Sequence, residues 1–130
     1  MHKKIKDLSC KRIKYLIESK IPFYKWHQTY LQGIKDEIEE AENEIKPNNS
    51  VYLEDELWDV FWDYLCLLHG LESEWKITWV EKVFERCYEK FIWRVWEKAN
   101  WGHNWEEIKK EQKIKRKKEH NKLYKNDKKN

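Results

Sequence analysis

Carboxylates spaced three and four residues apart recur twice in this 130-residue chain. The first set is Glu37, Glu40 and Glu44 in IKDEIEEAENEI, and the second is Glu56, Asp59 and Asp63 in YLEDELWDVFWDYLCLL. On a helix that turns about 100° per residue, each set forms one acidic stripe. A lone stripe of this kind is what an ordinary solvated helix face shows. Two matched stripes on consecutive helices are a different matter, because four or more carboxylates converging in one cleft repel unless a cation neutralises them. Hard oxygen donors suit Mg²⁺ or Mn²⁺.

The elements that must position these groups are legible beside them. Ile34, Ile38, Ala41 and Ile45 form an apolar stripe next to the first acidic set, as do Leu53, Leu57, Val60 and Tyr64 next to the second. Between them KPNNS (Lys46 to Ser50) breaks the helix, and so short a connection favours an antiparallel pair. Upstream, residues 3 to 20 read as an amphipathic helix with Ile5, Leu8, Ile13, Leu16 and Ile17 inward, stopped before Pro22. PFYKWHQTYL follows, with Trp26, Tyr30 and Leu31 expected in the core. Downstream, His69-Gly70 is expected to end the second acidic helix through a left-handed glycine cap. Thr78-Trp79-Val80-Glu81 has the capping-box pattern. The helix it opens should bury Val80, Phe84, Cys87, Phe91 and Val95, with Lys90, Arg94 and Lys98 along another face. ANWGHN reads as a turn, and Asn104 with Glu107 as a second capping signal before WEEIKKEQKIK.

The acidic text resembles a known family. Glu37-x-x-Glu40 followed by Glu56-x-x-Asp59 is similar to the signature of the MazG-type all-α nucleoside triphosphate pyrophosphohydrolases. DEIEEAENEI and DELWDVFWDYL resemble the family's two acidic helices, EKFIWR its Lys/Arg-bearing helix, and NWEEIKKEQK a closing segment. The resemblance spans roughly residues 26 to 113. Trp58 stands where a glycine is common, and Trp93, Val95 and Trp96 stand where longer members have an arginine and a His-Pro pair. The resemblance implies that Glu37, Glu40, Glu56 and Asp59 are the catalytic metal ligands, that Lys90 and Arg94 bind substrate phosphates, and that the substrate is a nucleoside triphosphate cleaved to monophosphate and pyrophosphate. Glu39 or Asp63 would accept the proton of the attacking water, and Trp58 and Trp62 lie nearest the acidic helix for stacking on a base.

Composition narrows the alternatives. With 39% charged residues, 3 Gly and 2 Pro, and no clean alternation, the chain reads as helical. Cys10, Cys66 and Cys87 are odd in number and far apart, as for reduced core thiols. No apolar signal region and no run of 18 apolar residues occurs, so neither secretion nor a membrane span is expected. No histidine has Glu three residues before it, which excludes the Glu-x-x-His di-iron bundle, and neither paired Cys/His zinc spacing nor a Walker or Rossmann glycine pattern occurs. Residues 109 to 130 carry 11 Lys and Arg against 3 Asp and Glu, a net +8, and the rest carries 16 against 21, a net −5.

The expectation is therefore an all-α, MazG-like bundle of four to five helices. It comprises an amphipathic helix (1–22), the helical domain (23–114) and a basic, fraying and then disordered tail (115–130). It would act in the cytoplasm as a Mg²⁺-dependent homodimer or homotetramer. The alternatives are a non-catalytic helical interaction module whose basic tail contacts nucleic acid, and an enzyme of narrow range such as one acting on dUTP.

Overall fold

The computed structural model describes residues 1–95 and 102–124, and the regular elements among them are helical, five of them α-helices. These are α1 (His2–Glu18), α2 (His27–Asn43), α3 (Ser50–Ser73), α4 (Val80–Val95) and α5 (Trp105–Tyr124). The chain divides into two compact units, Met1–Val80 and Glu81–Asn130. Trp96, Lys98, the first three residues of the ANWGHN turn and the last six residues of the tail lie outside the described residues.

In the first unit α3 is the common support, packed by both α1 and α2. The facing pairs of α2 and α3 run in opposite senses: Tyr30 meets Cys66, Gly33 meets Asp63, Glu37 meets Asp59 and Glu40 meets Glu56. The hairpin expected from the short KPNNS link is thus antiparallel. Ile13, Leu16, Tyr24, Tyr30, Cys66 and Leu67 form the core, with Ile17, Ile21, Ile34, Trp62 and Leu71 packed against it. Ile13 and Leu16, both fully buried, contribute about 1.5–3 kcal/mol each.

Both ends of the hairpin are tied by side chains. Glu74 accepts the His27 backbone N–H through Oε2 at 2.9 Å, and its Oε1 lies 2.8 Å from His27 Nδ1, which fixes the start of α2. At the other end Asn49 Nδ2 donates to the Glu44 carbonyl at 2.8 Å and to Glu44 Oε2 at 2.6 Å. Glu44 therefore caps the loop and is not a member of the acidic set to which its spacing assigned it.

Helix α3 does not stop at His69-Gly70. It continues to Ser73, and the left-handed residue is Trp75 (φ 60°). The Trp75 N–H bonds Glu72 O at 3.1 Å and the Lys76 N–H bonds Leu71 O at 2.9 Å, the paired closure of a Schellman motif. Gly70 serves packing instead: a Cβ there would fall 2.8 Å from the Tyr24 hydroxyl. Helix α1 closes in the same way, with Lys20 (φ 49°) in the left-handed position just before Pro22.

The apolar stripes beside the acidic sets are only half used. Ala41 is buried and Ile34 packs on the core, but Ile38 and Leu57 are each 53% exposed and Tyr64 and Ile45 also face solvent. These side chains leave apolar surface of α2 and α3 exposed. Tyr30 is buried as expected, whereas Trp26 and Leu31 are exposed. Of the cysteines, Cys66 is buried, Cys10 is half-buried and Cys87 is exposed.

Helix α4 begins where Glu72 Oε2 accepts the Val80 N–H at 2.8 Å. The cap that Thr78 was expected to supply thus comes from the end of α3. Of the residues expected to be buried on α4, Val80 is, but Phe84, Cys87, Phe91 and Val95 are exposed. In the second unit the buried residue of this helix is Arg94, at 3% exposure. Its Nε donates to Gln112 Oε1 at 2.8 Å, and its guanidinium stacks on the rings of Trp105 and Phe91. A delocalised cation between aromatic faces replaces the apolar seam that the periodicity suggested. The stretch beyond Lys115 is helical as far as Tyr124.

Candidate functional site

The antiparallel register places the two acidic motifs at the same height in the α2–α3 seam. One carboxylate oxygen from each of Glu37, Glu56 and Asp59 lies within 4.8 Å of the others. Glu40 stands beside both Glu37 and Glu56. Sequence spacing put each pair on one face, and the short loop turned those faces toward each other.

Glu37 Oε2 and Glu56 Oε2 are buried and have no hydrogen-bond partner. A buried polar atom without a partner costs on the order of 1–3 kcal/mol, more when it is charged. Two such oxygens beside one another would be satisfied by a cation, and the all-oxygen donor set fits a hard divalent ion. The electrostatics agree. Burial, then Glu40, Asp59 and Asp63, pushes the Glu37 carboxyl up to about 7. Burial and the neighbouring Glu40, Asp59 and Asp55 raise Glu56, and burial with Asp55 and Glu40 raises Asp59. Beyond burial, these carboxylates raise one another, and no positive charge among the described residues offsets them.

Asp63 extends the seam by one turn. It is half-buried, and burial with the charges of Asp59 and Asp36 pushes it up to about 6. Sequence periodicity grouped it with the motif, but nothing in the sequence marks Gly33 as the residue that makes room for it. Glu39, the other candidate proton acceptor, is exposed.

The two aromatic candidates separate. Trp62 packs on the core. Trp58 is 51% exposed and meets Phe61 edge to face, with ring centroids 5.6 Å apart. Beside that pair Leu57, Glu54 and His2 line a shallow cavity.

Lys90 and Arg94 belong to the second unit and are described within it. Lys90 is half-buried, its Nζ 5.4 Å from the centre of the Phe91 ring, and its carbonyl accepts from Gln112 Nε2 at 2.9 Å. Arg94 holds α4 and α5 together, so its guanidinium is not on the open face where helical periodicity placed it.

Among the described residues no helix is long and apolar enough to cross a membrane. No curated protein and no solved structure matches the chain significantly. The model of the MazG nucleotide pyrophosphohydrolase domain matches residues 25–97, a stretch that takes in α2, α3 and α4 and more than half of the chain, and the chain belongs to that family.

Proposed function

We propose that the protein is a Mg²⁺-dependent nucleoside triphosphate pyrophosphohydrolase, releasing pyrophosphate and the monophosphate, with Mn²⁺ able to substitute. The observation that carries this reading is the meeting of Glu37, Glu56 and Asp59 oxygens in one seam, with the Oε2 atoms of Glu37 and Glu56 themselves buried and unpartnered. Glu37, Glu40, Glu56 and Asp59 would hold the ion. When bound, it neutralises phosphate charge and makes a coordinated water more acidic. The protein's own part is to fix those oxygens rigidly on two packed helices, so that little reorganisation is needed during reaction. Asp63, one turn from Asp59 and with a raised proton affinity, would accept the water's proton.

Of the two basic residues that the family resemblance offers for phosphate binding, Lys90 is the one this reading keeps, since Arg94 is buried against Gln112, Trp105 and Phe91. Lys90→Ala tests this through KM, because a lost phosphate contact weakens substrate binding. The reading also includes a cytoplasmic homodimer or homotetramer. The exposed apolar side chains of α2 and α3, Ile38, Leu57 and Trp58 among them, support assembly, since exposed apolar surface is what interfaces cover. A fully active monomer in sedimentation would overturn that part.

The decisive experiment is a pyrophosphate-release screen over canonical, deoxy and modified nucleoside triphosphates, with and without Mg²⁺. Release that requires the metal supports the reading, and its distribution over the panel separates a broad enzyme from one confined to a substrate such as dUTP. No hydrolysis of any member would leave the helical interaction module as the better account.

A further inference from the structure

Helix α5 buries none of its residues, yet it is held in place. Three side chains seven residues apart tie it to α4. Trp105 packs on Phe91 with centroids 5.9 Å apart, Gln112 bonds Arg94 and the Lys90 carbonyl, and Glu119 pairs with Arg86 at 2.6 and 3.1 Å. At about 100° per residue these three anchors fall on one narrow line of the helix. Lys109, Lys110, Lys113 and Lys117 fall on an arc to one side of that line, all exposed, with Glu106 as its one acidic residue. The same arc ends in His120 and Tyr124, whose rings lie 4.9 Å apart and are both exposed.

The pattern is specific in what it lacks. Between Lys109 and Lys117 the arc carries no apolar side chain, so it has nothing to insert into a bilayer, as a membrane-surface helix does. Successive lysines separated by one turn, about 6 Å along the axis, present a row of single charges to a row of charges. An aromatic pair at the end of such a row is a platform for a flat ring. We propose that this face of α5 binds single-stranded nucleic acid, the lysines contacting successive phosphates and the His120–Tyr124 pair stacking on a base. The surface belongs to the second unit and the acidic seam to the first, and the proposal does not depend on the hydrolase reading.

The test is fluorescence anisotropy of the full chain with labelled single-stranded and duplex oligonucleotides across a salt series. Binding to the single strand should weaken linearly in log affinity against log salt. The variant K109Q/K113Q/K117Q should reduce that slope by about 2, at about 0.7 per phosphate contact. Tyr124→Ala should weaken single-strand binding about tenfold while leaving the slope unchanged. Both variants should keep their helical circular dichroism, and neither should alter nucleotide hydrolysis. The proposal is overturned by any of four results: no binding at low salt, equal affinity for duplex with no effect of Tyr124→Ala, stronger association with polyglutamate, or stronger association with anionic phospholipid vesicles.

Discussion

Gly33 on α2 lies directly against Asp63 on α3: a Cβ at position 33 would fall 2.5 Å from Asp63 Oδ2. A glycine in the middle of a helix costs about 1 kcal/mol relative to alanine, so here the missing side chain is traded for the placement of a carboxylate. Gly33→Ala in the wild-type background should give no gain in stability, because Asp63 must move. In a D63A background the same change should stabilise by about 1 kcal/mol. A double-mutant cycle by denaturant unfolding measures the difference, and additive effects would show that the two residues do not constrain each other.

Removing charge from the seam should separate stability from activity. The variant E56Q/D59N relieves repulsion among carboxylates that raise one another's proton affinity. Without metal it should melt at a higher temperature than wild type, because neutral side chains no longer repel their neighbours. It should also lack the rise in melting temperature that Mg²⁺ is expected to give the wild type, and pyrophosphate release should fall by at least about 100-fold, the scale of losing a principal charge-stabilising interaction. Turnover within a few-fold of wild type would remove the seam from the mechanism.

The raised carboxyls fix the sign of the pH dependence. Glu37 rises from 4.5 to about 7, and Asp63 from 3.8 to about 6. Between those values the native protein holds protons that the unfolded chain has released, so stability falls as pH rises through the window. In EDTA the melting temperature should be highest below about pH 4.5, apart from any general acid unfolding, and should decline toward about pH 7. Saturating Mg²⁺ should flatten or reverse the decline, because an ion bound to the native state favours the ionised carboxylates. A metal-free profile that rises from about pH 5 to about pH 7 would contradict the placement of Glu37.

Arg94 should behave as a packing residue of the α4–α5 hairpin. Arg94→Ala removes the Gln112 bond and the stacking on Trp105 and Phe91. Amide hydrogen exchange in α5 should accelerate by about tenfold or more, as expected when a charged-group hydrogen bond worth about 1.5–3 kcal/mol is lost. Arg94→Lys should rescue little, because an ammonium does not reproduce the planar stack. If exchange is unchanged while KM rises, the side chain serves the substrate instead.

What the sequence determined by itself was periodic. Carboxylates three apart must share a helix face whatever surrounds them, and a short link returns the chain antiparallel, so the stripes Glu37, Glu40, Glu44 and Glu56, Asp59, Asp63 are legible from their spacing and the loop between them, whereas the choice of Glu37, Glu40, Glu56 and Asp59 among them came from the family resemblance. Glu44 shares that period but lies at the helix end, where Asn49 claims it. Tertiary packing decided what local pattern cannot express. Gly70 looks like a cap because glycine tolerates a left-handed turn, but it sits inside α3 because Tyr24 needs the space, and Trp75 takes the turn instead. Arg94 looks solvated because it is charged, but it is buried because Trp105 on α5 and Phe91 on its own helix supply aromatic faces for it. Periodicity fixes directions within one helix, whereas burial depends on what a second helix brings to meet it.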